Sequence, residues 1–204
     1  MKPSLFIYLI LLNFGLLSAE GKVVLCLGDS LTAGYQIPAK TAWPKLLENT
    51  LKTEGKKVRV INSGISGSTT SSAMGRLKWH IKGKGTPDIV VIALGANDGL
   101  RGQDTEAMRK NLSNVIDYAQ ENGSVVLLAG MKIPPNYGQE YTRRFEQVYV
   151  DLSKKKNVAS IPFLLEGVAA IPKLNLPDGI HPNIDGHKIV SGVVLKHLRP
   201  LLKP

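Results

Sequence analysis

The chain is short of cysteine, of aromatic side chains and of acidic charge, and each shortage removes a class of explanation. Cys26 is the only cysteine in 204 residues, so no internal disulfide can form and no thiolate metal cluster is available. Stability must come from a packed core, and Cys26 itself, inside an apolar run, reads as a small core residue rather than a reactive thiol. Aromatic residues make up 6% of the chain and are sparse among its lysines and arginines, which argues against a surface built to stack nucleic-acid bases. Acidic residues number 16 against 26 basic ones, giving a formal net charge of +10. Clusters at Lys52 to Arg59, Arg76 to Lys84 and Lys154 to Lys156 supply much of that excess; they read as solvated helix ends and loops, although a basic surface also favours anionic membranes or substrates.

Nor is there an apolar run of the roughly 20 residues that a membrane span needs. The longest, Leu5 to Leu17, follows Met1-Lys2-Pro3-Ser4, is interrupted by Tyr8, Asn13 and Gly15, and ends at Ser18-Ala19-Glu20. This is the pattern of a secretory signal peptide over residues 1–19, with an uncleaved N-terminal anchor as the alternative. Cleavage after Ala19 leaves residues 20–204 as one domain, long enough to bury about 70% of the surface its unfolded form exposes. The expected location is outside the cytoplasm, in the periplasm where the host has two membranes and secreted otherwise. No cysteine stands at the end of the apolar stretch to carry a lipid.

What is present is a regular alternation. Apolar runs at Val23 to Leu27, Val58 to Ile61, Ile89 to Leu94 and Val125 to Ala129, with a weaker one near Val158 to Ile161, are separated by amphipathic segments. Apolar spacings of three and four predict helices over Ala42 to Glu54, Thr70 to Ile81, Thr105 to Glu121, Tyr137 to Lys155 and Asp185 to Leu198. Strand and helix in alternation predict βαβ units with right-handed crossovers: a three-layer α/β/α sandwich on a mostly parallel sheet, flavodoxin-like in topology. Such a fold binds ligands at the carboxyl edge of its sheet, so the turns that follow the strands are where chemistry belongs.

Three of those turns are rich in glycine, serine and asparagine: Gly28 to Gly34, Asn62 to Thr70, and Gly95-Ala96-Asn97-Asp98-Gly99. Ser30 follows the first strand directly. A serine hydroxyl is a weak nucleophile until an imidazole takes its proton, and a carboxylate on the other ring nitrogen holds that imidazole in the right tautomer. Asp178 and His181, in Asp178-Gly179-Ile180-His181-Pro182, are spaced to serve both needs from one loop. Gly67 and Asn97 are candidate donors to a developing oxyanion. Each residue also has a plainer reading: Ser30 as a helix N-cap, Gly67 as a left-handed turn residue, Asn97 as a loop cap. Asp29 and Asp98 read as loop-fixing groups. Ser63, Ser66 and Ser68 hold no better strand-end position than Ser30. His80, His187 and His197 lack metal-ligand spacing and read as surface or helix-end residues, and Lys82-Gly83-Lys84-Gly85 reads as a turn before Pro87.

Taken in order, Gly28-Asp29-Ser30-Leu31-Thr32-Ala33-Gly34-Tyr35, Gly67, Gly95-Ala96-Asn97-Asp98 and Asp178-Gly179-Ile180-His181-Pro182-Asn183 resemble the four blocks of the GDSL, or SGNH, hydrolases. Gly95 to Gly102 and Met131 to Gly138 resemble the branch of bacterial periplasmic thioesterases, also described as lysophospholipases or arylesterases. The resemblance implies an SGNH hydrolase fold and a serine hydrolase that cleaves carboxylic esters or thioesters through an acyl-enzyme on Ser30. Ser30, Asp178 and His181 are then catalytic, and Ser30, Gly67 and Asn97 form the oxyanion hole. No metal and no organic cofactor is implied. The implied partners are an acyl ester or thioester and water as acyl acceptor, with transient contact with membrane lipid, no nucleic acid and a monomeric state as further expectations. The Gly-x-Ser-x-Gly elbow of ordinary α/β-hydrolases is absent, since Thr32 stands where its second glycine would be, so the nucleophile is expected on a gentler turn entering a helix. The loop Met131 to Gly138 is expected to border an acyl groove, with Ile133 and Tyr137 against the chain, or else to be a rigid loop packed on its own helix. A deacetylase of carbohydrate or cell-envelope polymer, and a flavodoxin-like binding module without turnover, remain as other readings.

Overall fold

The computed structural model describes residues 21–203, so the expected signal segment lies outside the described residues. The first strand, β1 (Lys22–Gly28), runs into a single helical turn, α1 (Ser30–Ala33), and α2 (Trp43–Thr53) follows. Then come β2 (Val58–Gly64), α3 (Ala73–Lys84), β3 (Ile89–Ala93), the short α4 (Ala96–Leu100) and α5 (Thr105–Glu121). The chain closes with β4 (Val125–Ala129), α6 (Gln139–Lys155), β5 (Ala159–Ile161) and α7 (Ile184–Leu198). All five strands are parallel, in the order β2-β1-β3-β4-β5. Helices α2 and α7 pack together on one face, and α3, α5 and α6 stand side by side on the other.

This is the α/β/α sandwich that the alternation of runs requires. Burial on both faces explains why β3 is apolar at every position and wholly buried, as central parallel strands are. Leu77 of α3, Leu112 and Ile116 of α5 and Phe145 of α6 are fully buried, and Leu47, Leu51 and Val194 close the opposite layer. Cys26 sits in this core, where burial pushes its thiol far up from its ordinary value and keeps it protonated and inert.

The strand order places β1 at the switch point, flanked by β2 and β3, so that Gly28 pairs with both Gly64 and Ala93. Glycine is needed at both ends because α1 folds back over the sheet edge there. A Cβ at Gly28 would collide with Thr32 Oγ1, and one at Gly64 with the backbone of Ala33.

The structure corrects several expectations from the sequence. The run Lys82 to Lys84 is the last turn of α3 rather than a loop, and the helix ends only at Gly85, whose φ of 86° stops it. Residues 96–100 form a helix, not an open turn. His80 and His187 are buried, not at the surface, while His197 does lie in the last turn of α7. His187 carries a specific load: its Nδ1 accepts the backbone N–H of Trp43 at 3.1 Å, which docks the start of α2 on α7 and satisfies a donor that the helix leaves free.

Burial, with a smaller push from the charge of His181, lowers the His187 pKa to about 4. The fold therefore binds fewer protons at this site than the unfolded chain between its ordinary value and pH 4, and stability falls as pH drops through that window. In His187→Gln this dependence should vanish. Thermal midpoints measured from pH 7 to pH 4 should show wild type losing up to about 3 kcal/mol relative to the variant; parallel curves would remove His187 from the acid response.

Candidate active site

Every sequence-predicted site residue arrives at one edge of the sheet. Asp29 caps α1 by accepting Leu31 N–H at 2.9 Å, which turns the chain sharply after β1 and leaves Ser30 as the first helical residue. Ser30 is 8% exposed and its Oγ lies 2.9 Å from His181 Nε2, across 151 positions of sequence. His181 Nδ1 in turn lies 2.8 Å from Asp178 Oδ2. The other carboxylate oxygen, Asp178 Oδ1, accepts Ile180 N–H at 2.9 Å and His181 N–H at 3.0 Å. Burial works against the Asp178 charge, but those N–H donors and the His181 side chain outweigh it and hold the carboxyl below its ordinary value, ionised at neutral pH.

The loop carrying this pair is braced rather than free. Leu176 N–H donates to His181 O at 2.7 Å, Asn183 N–H donates to Leu174 O at 2.9 Å, and Asn175 and Pro182 form an antiparallel bridge. Asn183 then caps α7, accepting Asp185 and Gly186 N–H through Oδ1 while its amide donates to Lys173 O at 2.9 Å. The Tyr35 ring flanks the imidazole, with centroids 4.5 Å apart and planes tilted by 38°.

The turn after β2 and the short helix after β3 face each other across this edge. Gly67 has φ of 78°, a left-handed conformation that glycine adopts freely, while a Cβ there would make only an ordinary contact with Arg101 Nη2 at 3.6 Å, so conformation rather than room calls for glycine there. Its carbonyl accepts Arg101 Nη2 at 3.0 Å. Asn97 Nδ2 donates to Ser68 O at 3.0 Å, which ties α4 to the same turn and leaves its second amide hydrogen for another acceptor. Asp98 locks the pair: its carboxylate accepts Thr70 N–H at 3.0 Å and Thr70 Oγ1–H at 2.6 Å. Among the described residues, Ser30 N–H and Gly67 N–H donate to no protein acceptor.

Asp29 and Asp98 thus act as loop-fixing groups, as their positions suggested, but one contributor was not legible. Arg76 of α3 reaches under the site and donates through Nη1 to Gly28 O at 3.0 Å and through Nη2 to Ser63 O, joining the carboxyl ends of β1 and β2. It sits three residues after Ala73 and four before His80, on the buried stripe of its helix, and that spacing was the available signal for an inward arginine. The loop from Met131 to Gly138 is also closer to its rigid reading. Ile133 is buried against the core rather than open to a ligand, and Tyr137 Oη donates to Leu100 O at 2.8 Å.

Residues 26–189 match the GDSL-like Lipase/Acylhydrolase family. The chain belongs to that family, and it is a hydrolase. It is 40% identical over 185 residues to an arylesterase of Vibrio mimicus, covering 89% of this chain and 92% of the relative. It is 36% identical over 197 residues to thioesterase 1/protease 1/lysophospholipase L1 of Escherichia coli strain K12, covering 97% and 92%. The crystal structure of TesA superposes with a TM-score of 0.85 at 36% identity, over 88% of this chain and 99% of that one.

One acid at this edge carries a cost. Burial raises the Asp29 carboxyl to about 6 against the lowering effect of Leu31 N–H and His181, and its Oδ2 has no protein partner. Above its ordinary value the unfolded chain releases this proton while the fold retains it, so stability falls as pH rises from about 4 to 6. Asp29→Asn keeps the helix cap and cannot ionise. Its thermal midpoint should gain on wild type over that window, by up to about 3 kcal/mol, and stay level above it; a gain independent of pH would show that the Asp29 charge is not the cause.

Proposed function

We propose that this protein hydrolyses carboxylic esters and thioesters through an acyl-enzyme on Ser30. The observation that carries this reading is the continuous hydrogen-bonded row from Ser30 Oγ through the His181 ring to Asp178. Ser30 Oγ attacks the acyl carbon while His181 Nε2 accepts the hydroxyl proton. Asp178 holds the ring by Nδ1–H and favours the imidazolium that forms. The oxygen that gains charge is received by the N–H groups of Ser30 and Gly67 and by the free amide hydrogen of Asn97. Collapse of the tetrahedral intermediate expels the alcohol or thiol, which takes the proton from His181. Water then attacks the acyl-enzyme with His181 as base, releases the acid and restores Ser30. All of these groups come from one chain, so the reading requires no second copy.

The relatives support acyl esters and thioesters as the substrate class: one is named for arylesterase activity and another for thioesterase and lysophospholipase activity. Among the described residues no helix is long and apolar enough to cross a membrane, and the apolar stretch at Leu5 to Leu17 supports export, with the periplasm as the place of action.

Hydrolysis of p-nitrophenyl esters from acetyl to palmitoyl, alongside palmitoyl-CoA, tests the reading. Ser30→Ala and His181→Ala should each lose about 10⁴-fold or more in turnover with the fold intact, and Asn97→Ala about 10²–10³-fold. A folded Ser30→Ala variant that turns over like wild type would sink the mechanism. A sharp preference for acetyl esters would move the substrate toward acetylated carbohydrate or envelope polymer with the same chemistry.

A further inference from the structure

The stretch from Gly55 to Pro87, through β2 and α3, carries charge of one sign only. Residues 55–87 hold seven lysines and arginines and not one aspartate or glutamate. Arg76 turns inward, and the other six are exposed: Lys56, Lys57 and Arg59 beside the edge strand β2, and Lys78, Lys82 and Lys84 on α3. None of the six belongs to an ion pair among the described residues. Helix α3 reaches the edge strand through Arg76, whose Nη2 donates to Ser63 O of β2, and Arg59 and Lys84 both act on the buried His80.

In the middle of this surface stands Trp79, 70% exposed. The spacing Gly75, Lys78, Trp79, Lys82 puts glycine, lysine and indole on one outward stripe of α3. Around Gly75 and Gly83 the space is open, with no atom within 4 Å of where a Cβ would stand, so nothing shields the indole along the helix. An exposed indole among cations that have no acidic partner sets side by side the two chemistries that an anionic layer with an apolar interior would answer, while Lys78 Nζ lies 5.3 Å from the centroid of the Tyr118 ring. An indole is at home in a lipid headgroup layer, with its ring among the upper acyl carbons and its N–H in the polar zone, and lysines beside it meet lipid phosphates. A nucleic acid suits this face less well, because base stacking uses several aromatic platforms along a groove, and α3 offers one indole on a convex helix.

We propose that the outward face of α3, with the adjoining edge of β2, docks this protein on an anionic phospholipid bilayer, with Trp79 seated in the headgroup layer. The inference is independent of the reaction assigned to Ser30. The chain reports on it directly, because its only other tryptophan, Trp43, is fully buried.

The test uses protein purified from cells expressing the full chain, mixed with vesicles of phosphatidylcholine alone or with phosphatidylglycerol added. The expected result is a blue shift of tryptophan emission with phosphatidylglycerol and none with pure phosphatidylcholine, reversed by about 0.5 M salt. Lys78→Gln with Lys82→Gln should weaken vesicle binding roughly 25-fold, about fivefold per lysine. Trp79→Ala should weaken it severalfold, with thermal midpoint and turnover of a soluble ester unchanged. Lys154→Gln with Lys155→Gln, an equal charge change on α6, should have little effect. Binding without an emission shift, or an equal loss from the α6 variant, would reduce the interaction to adsorption by net charge and overturn the proposal. No binding, or a larger shift with duplex DNA than with vesicles, would overturn it too.

Discussion

The 2.9 Å contact between Ser30 Oγ and His181 Nε2 joins two ends of the chain, and most of the architecture at the sheet edge exists to hold it. One partner is fixed from below: β1 lies between two neighbours, and Arg76 clamps the last carbonyl of β1 to that of Ser63. The other is fixed from the side, by the braced loop that Asn175 and Asn183 tie to the start of α7. Helix α7 is in turn located by α2, through the Trp43 N–H that His187 accepts. A loss of register in either layer would separate the two atoms, since a hydrogen bond tolerates only a few tenths of an ångström.

The same edge shows how one residue type serves different ends by environment alone. Asp98 is buried and answered by the Thr70 hydroxyl and N–H, so its carboxyl group becomes a structural tie between the Gly67 turn and the helix bearing Asn97. Asp29 is equally buried but half answered, and burial then favours its neutral form. Asp178 is less buried and receives two N–H donors as well as the imidazole, so its charge is retained beside the His181 ring. Burial and the number of donors separate these roles, and neither is visible in a list of acids.

A second organising feature is the separation of charge from chemistry. A run of cations with no acidic partner lies along β2 and the outward side of α3, while Asp29, Asp98 and Asp178 lie at the carboxyl edge of the sheet. Arg76 belongs to the basic run by sequence and to the site by position, because one residue of helical phase turns it from solvent to core.

The sequence by itself determined the class of fold and singled out the candidate residues that the structure brings together at one sheet edge. Periodicity decides helix or strand wherever one face is buried, so Thr105–Glu121 and Val125–Ala129 could be delimited from apolar spacing alone, and glycine, serine and asparagine after the strands marked the functional edge. Short elements stabilised by tertiary contacts were not legible: α1 and α4 have too few residues to show a period, and the helical state of Lys82 to Lys84 depends on the fold rather than on Gly83, whose intrinsic preference opposes it. Burial of His80 and His187, the inward turn of Arg76 and the packing of Ile133 also emerged only in three dimensions. The physical reason is common to all of them. A pattern along the chain records which face an element buries, while the partner that meets a given polar atom is supplied by another element, and only assembly brings the two together.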